Sequence, residues 1–271
     1  MREYPADGEN MNALILHDED QGVGSPALVF LHYFAGSLRS WVHVAGNLSR
    51  AYRCLCVDLP GFGRSPPMSA FSVDAVGRTI AQHIASRRLG TYVLVGHSMG
   101  GKLALACAAD PPPGLVGVVL VAPSPPSPEP MDETERARLL ANHGTRASAE
   151  QTLRMITRRL IPAEDTDICI ADNLMTSAEA WHWWLAEGSR ETITAQTERV
   201  ACPVLVMGGS EDPVIAPAVI ATEVMPRLAN ASRTEIAGAG HLLPFEAAKE
   251  VSDNIRTFVT EQCRGAMRAT P

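Results

Sequence analysis

Apolar positions along this chain follow two rhythms. Short, nearly continuous apolar runs occur at residues 27–32 (ALVFLH), 52–58 (YRCLCVD), 92–95 (YVLV), 115–122 (LVGVVLVA) and 203–207 (PVLVM). Runs of this kind, rich in β-branched residues and lacking polar alternation, read as strands buried on both faces. Shorter strand candidates lie at 11–17 (MNALILH) and near 233–236. Between the runs, apolar residues return at helical spacing. One helix is expected through SWVHVAGNLSRAY, capped by Ser37 or Ser40, and another from Ser72 or Asp74 to a stop at Gly90. Further helices are expected over VIATEVMPRLA and from Phe245 to Gln262, with a frayed tail, RGAMRATP. Strands alternating with helices imply a parallel sheet with helices on both faces.

That rhythm breaks at Pro123. The stretch holding Pro123, Pro125, Pro126, Pro128 and Pro130 is a stiff exit from the sheet, and no strand pattern returns until about residue 201. Helical patterns fill the interval: DETERARLLANHG, SAEQTLRMITRRL and a region around ICIADNLMTSAEAWHWWLAEGSR. Residues 1–123 and 201–271 therefore read as one sheet domain, and residues 124–200 as an inserted helical lid.

Candidate chemistry starts at residues 91–110, TYVLVGHSMGGKLALACAAD, where a buried strand runs into Gly96-His97-Ser98-Met99-Gly100 and then a helix. A Gly-x-Ser-x-Gly turn between a strand and a helix is a nucleophile elbow. Gly96 and Gly100 leave room for a strained turn that lifts the Ser98 hydroxyl clear, and the helix start aims N–H groups at developing negative charge. A serine needs a base, and the base an orienting acid. His241, between Gly240 and Leu242 on the loop after the last strand, is the candidate base. Asp212, fixed by Pro213 in the turn GGSEDP, is the candidate acid, with Glu211 its solvent-facing neighbour. The Met99 N–H is one candidate oxyanion donor, and Phe34, after the strand ending at His32, is the second. His32 is expected to hydrogen-bond loop backbone. Tyr33, His97, Trp181, Trp184 and Leu242 are candidate substrate contacts. Trp181 and Trp184 share a helix face that Trp183 does not.

Composition narrows the setting. The chain has 271 residues, and its net charge of -7, with no basic cluster, argues against nucleic acid. No apolar run is long enough to span a bilayer, and the polar start MREYPADGEN has no signal core, so a cytoplasmic protein with no membrane partner is expected. The six cysteines lack metal-ligand spacing and read as reduced, mostly buried residues, with Cys54 and Cys56 on opposite sides of their strand. No metal and no cofactor are expected. A small-molecule substrate is the expected partner, and a homodimer is left open.

His32-Tyr33-Phe34, Asp58-Leu59-Pro60-Gly61-Phe62-Gly63-Arg64-Ser65, Gly96-His97-Ser98-Met99-Gly100-Gly101, Gly209-Ser210-Glu211-Asp212 and Gly240-His241 together resemble the α/β-hydrolase superfamily over nearly the whole chain. The resemblance implies an α/β-hydrolase fold, a mostly parallel twisted sheet flanked by helices with a helical lid. It implies Ser98, Asp212 and His241 as triad, and Phe34 and Met99 as oxyanion donors. The chain departs from the family's usual His-Gly at His32-Tyr33, where a side chain narrows the site or shifts the donor. Relatives acting on haloalkanes or epoxides carry an aspartate at the elbow, so Ser98 speaks against both. The function expected first is hydrolysis of a carboxylic ester or lactone with a small to medium, largely apolar substrate. The alternatives are C–C bond hydrolysis of a dioxo acid, for which Arg154, Arg158, Arg159 and Arg190 could supply cations, and perhydrolysis of the cofactor-free haloperoxidase type. A non-catalytic small-molecule receptor is a third class.

Overall fold

In the computed structural model, which describes residues 14–263, the apolar runs line up in one sheet. Its strands are β1 (Asp18–Gln21), β2 (Ala27–Leu31), β3 (Cys54–Val57), β4 (Tyr92–His97), β5 (Leu115–Val121), β6 (Val204–Gly209) and β7 (Ala231–Ile236). Their spatial order is β1-β3-β2-β4-β5-β6-β7, with β1 antiparallel on β3 and every other pair parallel. The reversal of direction along the sheet beside β2 and β4 is where loops at the strand C-termini diverge and leave a crevice.

Period two sorts the strand side chains into two cores. Val29, Leu31, Leu55, Val57 and Leu94 pack under α2 (Val73–Ser86) and α3 (Met99–Ala108). Leu28, Phe30, Val93 and Val95 pack under α1 (Val42–Leu48) and the final helix. Cys54 and Cys56 both lie in this second core. The expectation that they face opposite sides is wrong, because residues two apart on a strand share a face. All six cysteines are free thiols, and all but Cys202 are buried.

The helices of the inserted segment are α4 (Glu133–Ala141), α5 (Arg146–Ile156), α6 (Ala163–Met175), α7 (Ala178–Ala186) and the short α8 (Thr194–Thr197), all between β5 and β6. They are tied to the sheet domain through two buried carboxylates. Asp172 of α6 accepts from the Ser37 hydroxyl at 2.7 Å and from the Arg39 Nε at 3.0 Å, and Asp165 pairs with His43 at 2.8 Å.

Several boundaries differ from expectation. Residues 11–13 of the first strand candidate lie outside the described residues, and Leu14–His17 is not a strand. The strand is the next segment, Asp18–Gln21, mostly exposed at the sheet edge. It is held by main-chain pairing to β3, so its side chains need no apolar pattern. Ser72 caps α2 by accepting from Ala75 N–H, but the helix ends at Ser86, four residues before Gly90. The helix expected over 219–229 is a short α9 (Pro217–Val219), a π turn (Ile220–Val224) and a 3-10 turn (Met225–Arg227), since Pro226 lacks the N–H that continuation needs. The last helix is broken at Ala247 into α10 (Leu243–Glu246) and α11 (Ala248–Gln262). The tail, 264–271, lies outside the described residues. Among the described residues, no helix is long and apolar enough to cross a membrane.

Candidate active site

The turn between β4 and α3 holds Ser98 at φ 52° and ψ -117°, a conformation non-glycine residues rarely adopt. Its neighbours explain the glycines. A Cβ on Gly100 would lie 2.4 Å from the Leu31 carbonyl oxygen, and one on Gly96 would lie 2.3 Å from the Gly100 carbonyl oxygen. The Ser98 N–H donates to the Val121 carbonyl at 3.0 Å, tying the strained residue to β5.

Two loops bring the other members to Ser98. His241 Nε2 lies 2.9 Å from Ser98 Oγ, and His241 Nδ1 lies 2.8 Å from Asp212 Oδ2. Asp212 Oδ1 accepts from the N–H groups of Val214 at 2.8 Å and Ile215 at 3.0 Å, so the carboxylate is aimed by its own turn. Glu211 is exposed, whereas Ser98, Asp212 and His241 are all buried. With Asp212 accepting, Nδ1 carries the imidazole proton and Nε2 is free to accept from Ser98. Burial alone would lower the His241 pKa. The Asp212 charge and hydrogen bond, then the Glu129 and Glu246 charges, hold it above the ordinary histidine value.

The Phe34 and Met99 N–H groups, the candidate oxyanion donors, make no hydrogen bond among the described residues. His32 fixes the loop carrying Phe34. Its Nδ1 donates to the Tyr33 carbonyl at 2.7 Å and its Nε2 accepts from the Leu59 N–H at 3.0 Å. Asp58 anchors the following loop by accepting from the N–H groups of Leu38 (2.7 Å) and Arg64 (2.9 Å).

A cavity of about 310 Å³ opens over Ser98 and His241. Tyr33, Phe34, Trp181, Trp184 and Leu242 line it, with Met131, Leu139, Leu153 and Ile156 from the inserted segment. Trp183 instead stacks on Phe71, its ring centroid 5.1 Å away. His97 does not line the cavity, which corrects its placement among substrate contacts. It is fully buried behind the site, donates from Nε2 to the His241 carbonyl at 2.9 Å, and packs on the rings of Tyr33 and Trp41. Burial pushes its pKa well below the usual value, so it stands there as a neutral ring. A residue inside the elbow strand points where the strand's alternation sends it, here into the layer beneath the turn.

The cavity also has an acid that the sequence reading missed. Glu129, in the proline-rich loop after β5, is buried and lines the cavity. Burial raises its pKa, while Ser124, His241, Lys102 and Arg136 oppose the rise. Lys102, buried on α3, donates to the carbonyls of Ser127 (3.2 Å) and Glu191 (2.5 Å), and burial brings its pKa down to about 8. Asp132 and Glu135 line the cavity too, and no lysine or arginine does so among the described residues. Arg158 and Arg159 spend their guanidinium groups on backbone carbonyls and Glu250, and Arg190 pairs with Glu133. Arg154 is exposed. No cluster of three or more histidine, cysteine, aspartate or glutamate residues fit for a metal ion occurs among the described residues.

A profile of the Alpha/beta hydrolase family matches residues 28–254. A curated relative, 2-succinyl-6-hydroxy-2,4-cyclohexadiene-1-carboxylate synthase of Escherichia coli O1:K1 / APEC, is 37% identical over 115 residues, which is 42% of this chain and 45% of that protein. The chain thus matches less than half the length of that relative. An esterase from Exiguobacterium antarcticum superposes with a TM-score of 0.82 at 18% identity, covering 91% of this chain and 96% of the other. Bromoperoxidase from Bacillus anthracis superposes with a TM-score of 0.81 at 19% identity, covering 91% and 95%. At such identities these two structures speak for the fold alone.

Proposed function

The chain belongs to the alpha/beta hydrolase family, and from that premise we propose that it is a serine hydrolase of carboxylic esters or lactones with a largely apolar acyl group. One observation carries this reading. A serine hydroxyl on a strained elbow sits 2.9 Å from an imidazole nitrogen whose other nitrogen is 2.8 Å from a buried carboxylate, beneath an apolar cavity.

The chemistry follows from those atoms. Ser98 Oγ attacks the ester carbonyl carbon as its proton passes to His241 Nε2, and the charged imidazole is held by Asp212. The carbonyl oxygen becomes an oxyanion that accepts from the Phe34 and Met99 N–H groups. Collapse breaks the bond to the leaving alkoxide, which takes the proton from Nε2. Water then repeats the cycle on the acyl-enzyme, with His241 again the base. In this reading the inserted helices act as a lid that keeps bulk water from the acyl group.

The curated relative's name suggests a second reading, synthesis of a cyclohexadiene carboxylate, supported by the 37% identity over 115 residues. A site for a carboxylated ligand, like one for a dioxo acid, calls for a cation. The lining residues here include Glu129, Asp132 and Glu135 and no lysine or arginine, which favours the ester reading.

The test is turnover of p-nitrophenyl esters of increasing acyl length by the wild type and Ser98→Ala. Hydrolysis that falls by about 10⁶ in the variant supports the reading. Activity that survives the substitution, or absence of hydrolysis with every ester and lactone tried, overturns it. Tight ligand binding without turnover would point to a receptor.

A further inference from the structure

The loop carrying His241 is held from a side that the chemistry above does not use. Glu246, five residues on and buried, gathers four backbone donors. Its Oε2 accepts from the N–H groups of Gly240 at 2.9 Å, Arg158 at 2.8 Å and Arg159 at 2.8 Å. Its Oε1 accepts from the N–H of Leu242 at 2.9 Å. The N–H of His241, between them, donates to the Ile156 carbonyl at 2.8 Å. Three consecutive N–H groups around the base are therefore bound either to Glu246 or to the end of α5. The approach is close, since a Cβ on Gly240 would lie 2.7 Å from the Ile156 carbonyl oxygen and 2.9 Å from the Arg158 nitrogen. Glu246 touches neither Ser98 nor the cavity.

We propose that Glu246 is a positioning residue for His241: one buried carboxylate clamps the backbone on both sides of the base to residues 158 and 159 of the insertion. The base is thus held against Ser98 by the inserted helices as well as by the sheet. A shift of the α5–α6 connection that breaks the clamp also moves the imidazole. Because a misplacement of about 1 Å can cost a hundredfold in rate, this clamp bears on turnover more than on binding.

Reach and charge can be separated. The groups facing His241 are Ser98 and His97 from the elbow, Asp212 from the turn after β6, Glu129 from the loop after β5, and Glu246. Glu246 approaches the arginines through their backbone N–H groups, while the Arg159 guanidinium binds Glu250 at 2.8 Å and the Glu246 carbonyl at 3.2 Å. Glu246→Gln removes the charge and replaces an acceptor by a donor. Glu246→Asp keeps the charge and shortens the reach.

The experiment measures kcat, KM and the pH dependence of kcat/KM on a p-nitrophenyl ester for both variants, with an NMR titration of the His241 ring. Glu250→Gln, which removes only the exposed partner of Arg159, is the control. In Glu246→Gln, kcat should fall about tenfold to a hundredfold while KM changes less than about threefold. The acid limb and the ring titration should both move to lower pH. In Glu246→Asp, kcat should fall while the limb stays at the wild-type position. A folded Glu246→Gln with wild-type kcat and limb, or one that only lowers Tm, overturns the proposal. If the Gln variant does not fold, wild-type kcat in Glu246→Asp overturns it. The inference rests on the ester-hydrolase reading only for kcat. If no ester is turned over that reading fails, and a His241 ring titrating identically in the wild type and Glu246→Gln still overturns the clamp.

Discussion

The two walls of the cavity are built on opposite terms. The wall made by the sheet's loops is fixed by hydrogen bonds to backbone: Asp212 by two N–H groups, His32 by two main-chain partners, His241 through the N–H groups around it. The wall made by the insertion presents apolar side chains such as Met131, Leu139, Leu153 and Ile156, and a polar tie there is the Trp181 indole N–H donating to the Leu139 carbonyl at 3.1 Å. Hydrogen bonds have direction and preferred lengths, whereas dispersion contacts are many, weak and forgiving. The first wall can place a reacting atom. The side chains of the second shape and dry the space around it, and that wall reaches the base only through its backbone at residues 156, 158 and 159. Single substitutions should therefore damage rate on one wall and selectivity on the other.

The hardest blow to the first wall is Asp212→Asn. The amide keeps the shape but favours the wrong imidazole tautomer, so kcat should fall by about 10⁴ with KM little changed. Steady-state kinetics on the best ester checks this. A loss of tenfold or less would mean another acid orients His241, and Glu129 is the buried carboxylate beside it. Next in size is Gly100→Ala. Its Cβ would meet the Leu31 and His32 carbonyl oxygens at 2.4 and 2.5 Å, and backbone atoms of a central strand cannot step aside. Urea unfolding should show a loss of about 3 kcal/mol or more. A neutral effect would mean the elbow relaxes, and the rigid-wall picture would weaken with it.

What could be read from the sequence divides along the same line. The elbow was legible because its demand is local: Ser98 at φ 52° needs glycines two residues away on each side, and the sequence carries them. The order of strand, acid turn and histidine loop was legible because the apolar runs fix the sheet. Edge strand β1 was not, since Asp18–Gln21 pairs through its backbone, the side chains of residues 19–21 face solvent, and Asp18 meets its partners His83 and Arg87 only in the fold. Glu129 and Glu246 were not, because part of what surrounds each comes from chain that returns from far away: His241 for Glu129, and residues of the insertion for Glu246. Glu246 binds residues 158 and 159, 88 and 87 positions earlier. His97 lies beneath the turn and not in the cavity for a related reason: proximity in sequence to Ser98 says nothing about which side of β4 a side chain takes.

Protonation of the base gives a smaller, graded effect. The His241 pKa is raised above 6.5, and the base acts only when neutral. The kcat/KM of the wild type should fall as pH drops through that raised value, about tenfold per pH unit below it. The stability contribution has the opposite sign. Charged His241 is favoured in the folded chain, so its share of stability is complete below 6.5 and is lost as pH rises through the folded pKa. A limb below 6.5 in kcat/KM would mean that burial outweighs Asp212 and that the first wall is electrostatically weaker than its geometry suggests.

The smallest expected effect probes the second wall. Leu153→Trp adds bulk to a partly buried position that lines the cavity from α5 and makes no side-chain hydrogen bond in the site. The longest acyl chains should lose about tenfold in kcat/KM, mostly through KM, while short esters stay near the wild-type value. The optimum in the p-nitrophenyl ester series should move to shorter chains. A uniform fall in kcat across all lengths would show that α5 cannot change shape without moving His241. Such a result would fit the Ile156 carbonyl and the residue 158–159 N–H groups at the end of that same helix, and would make the two walls one mechanical unit.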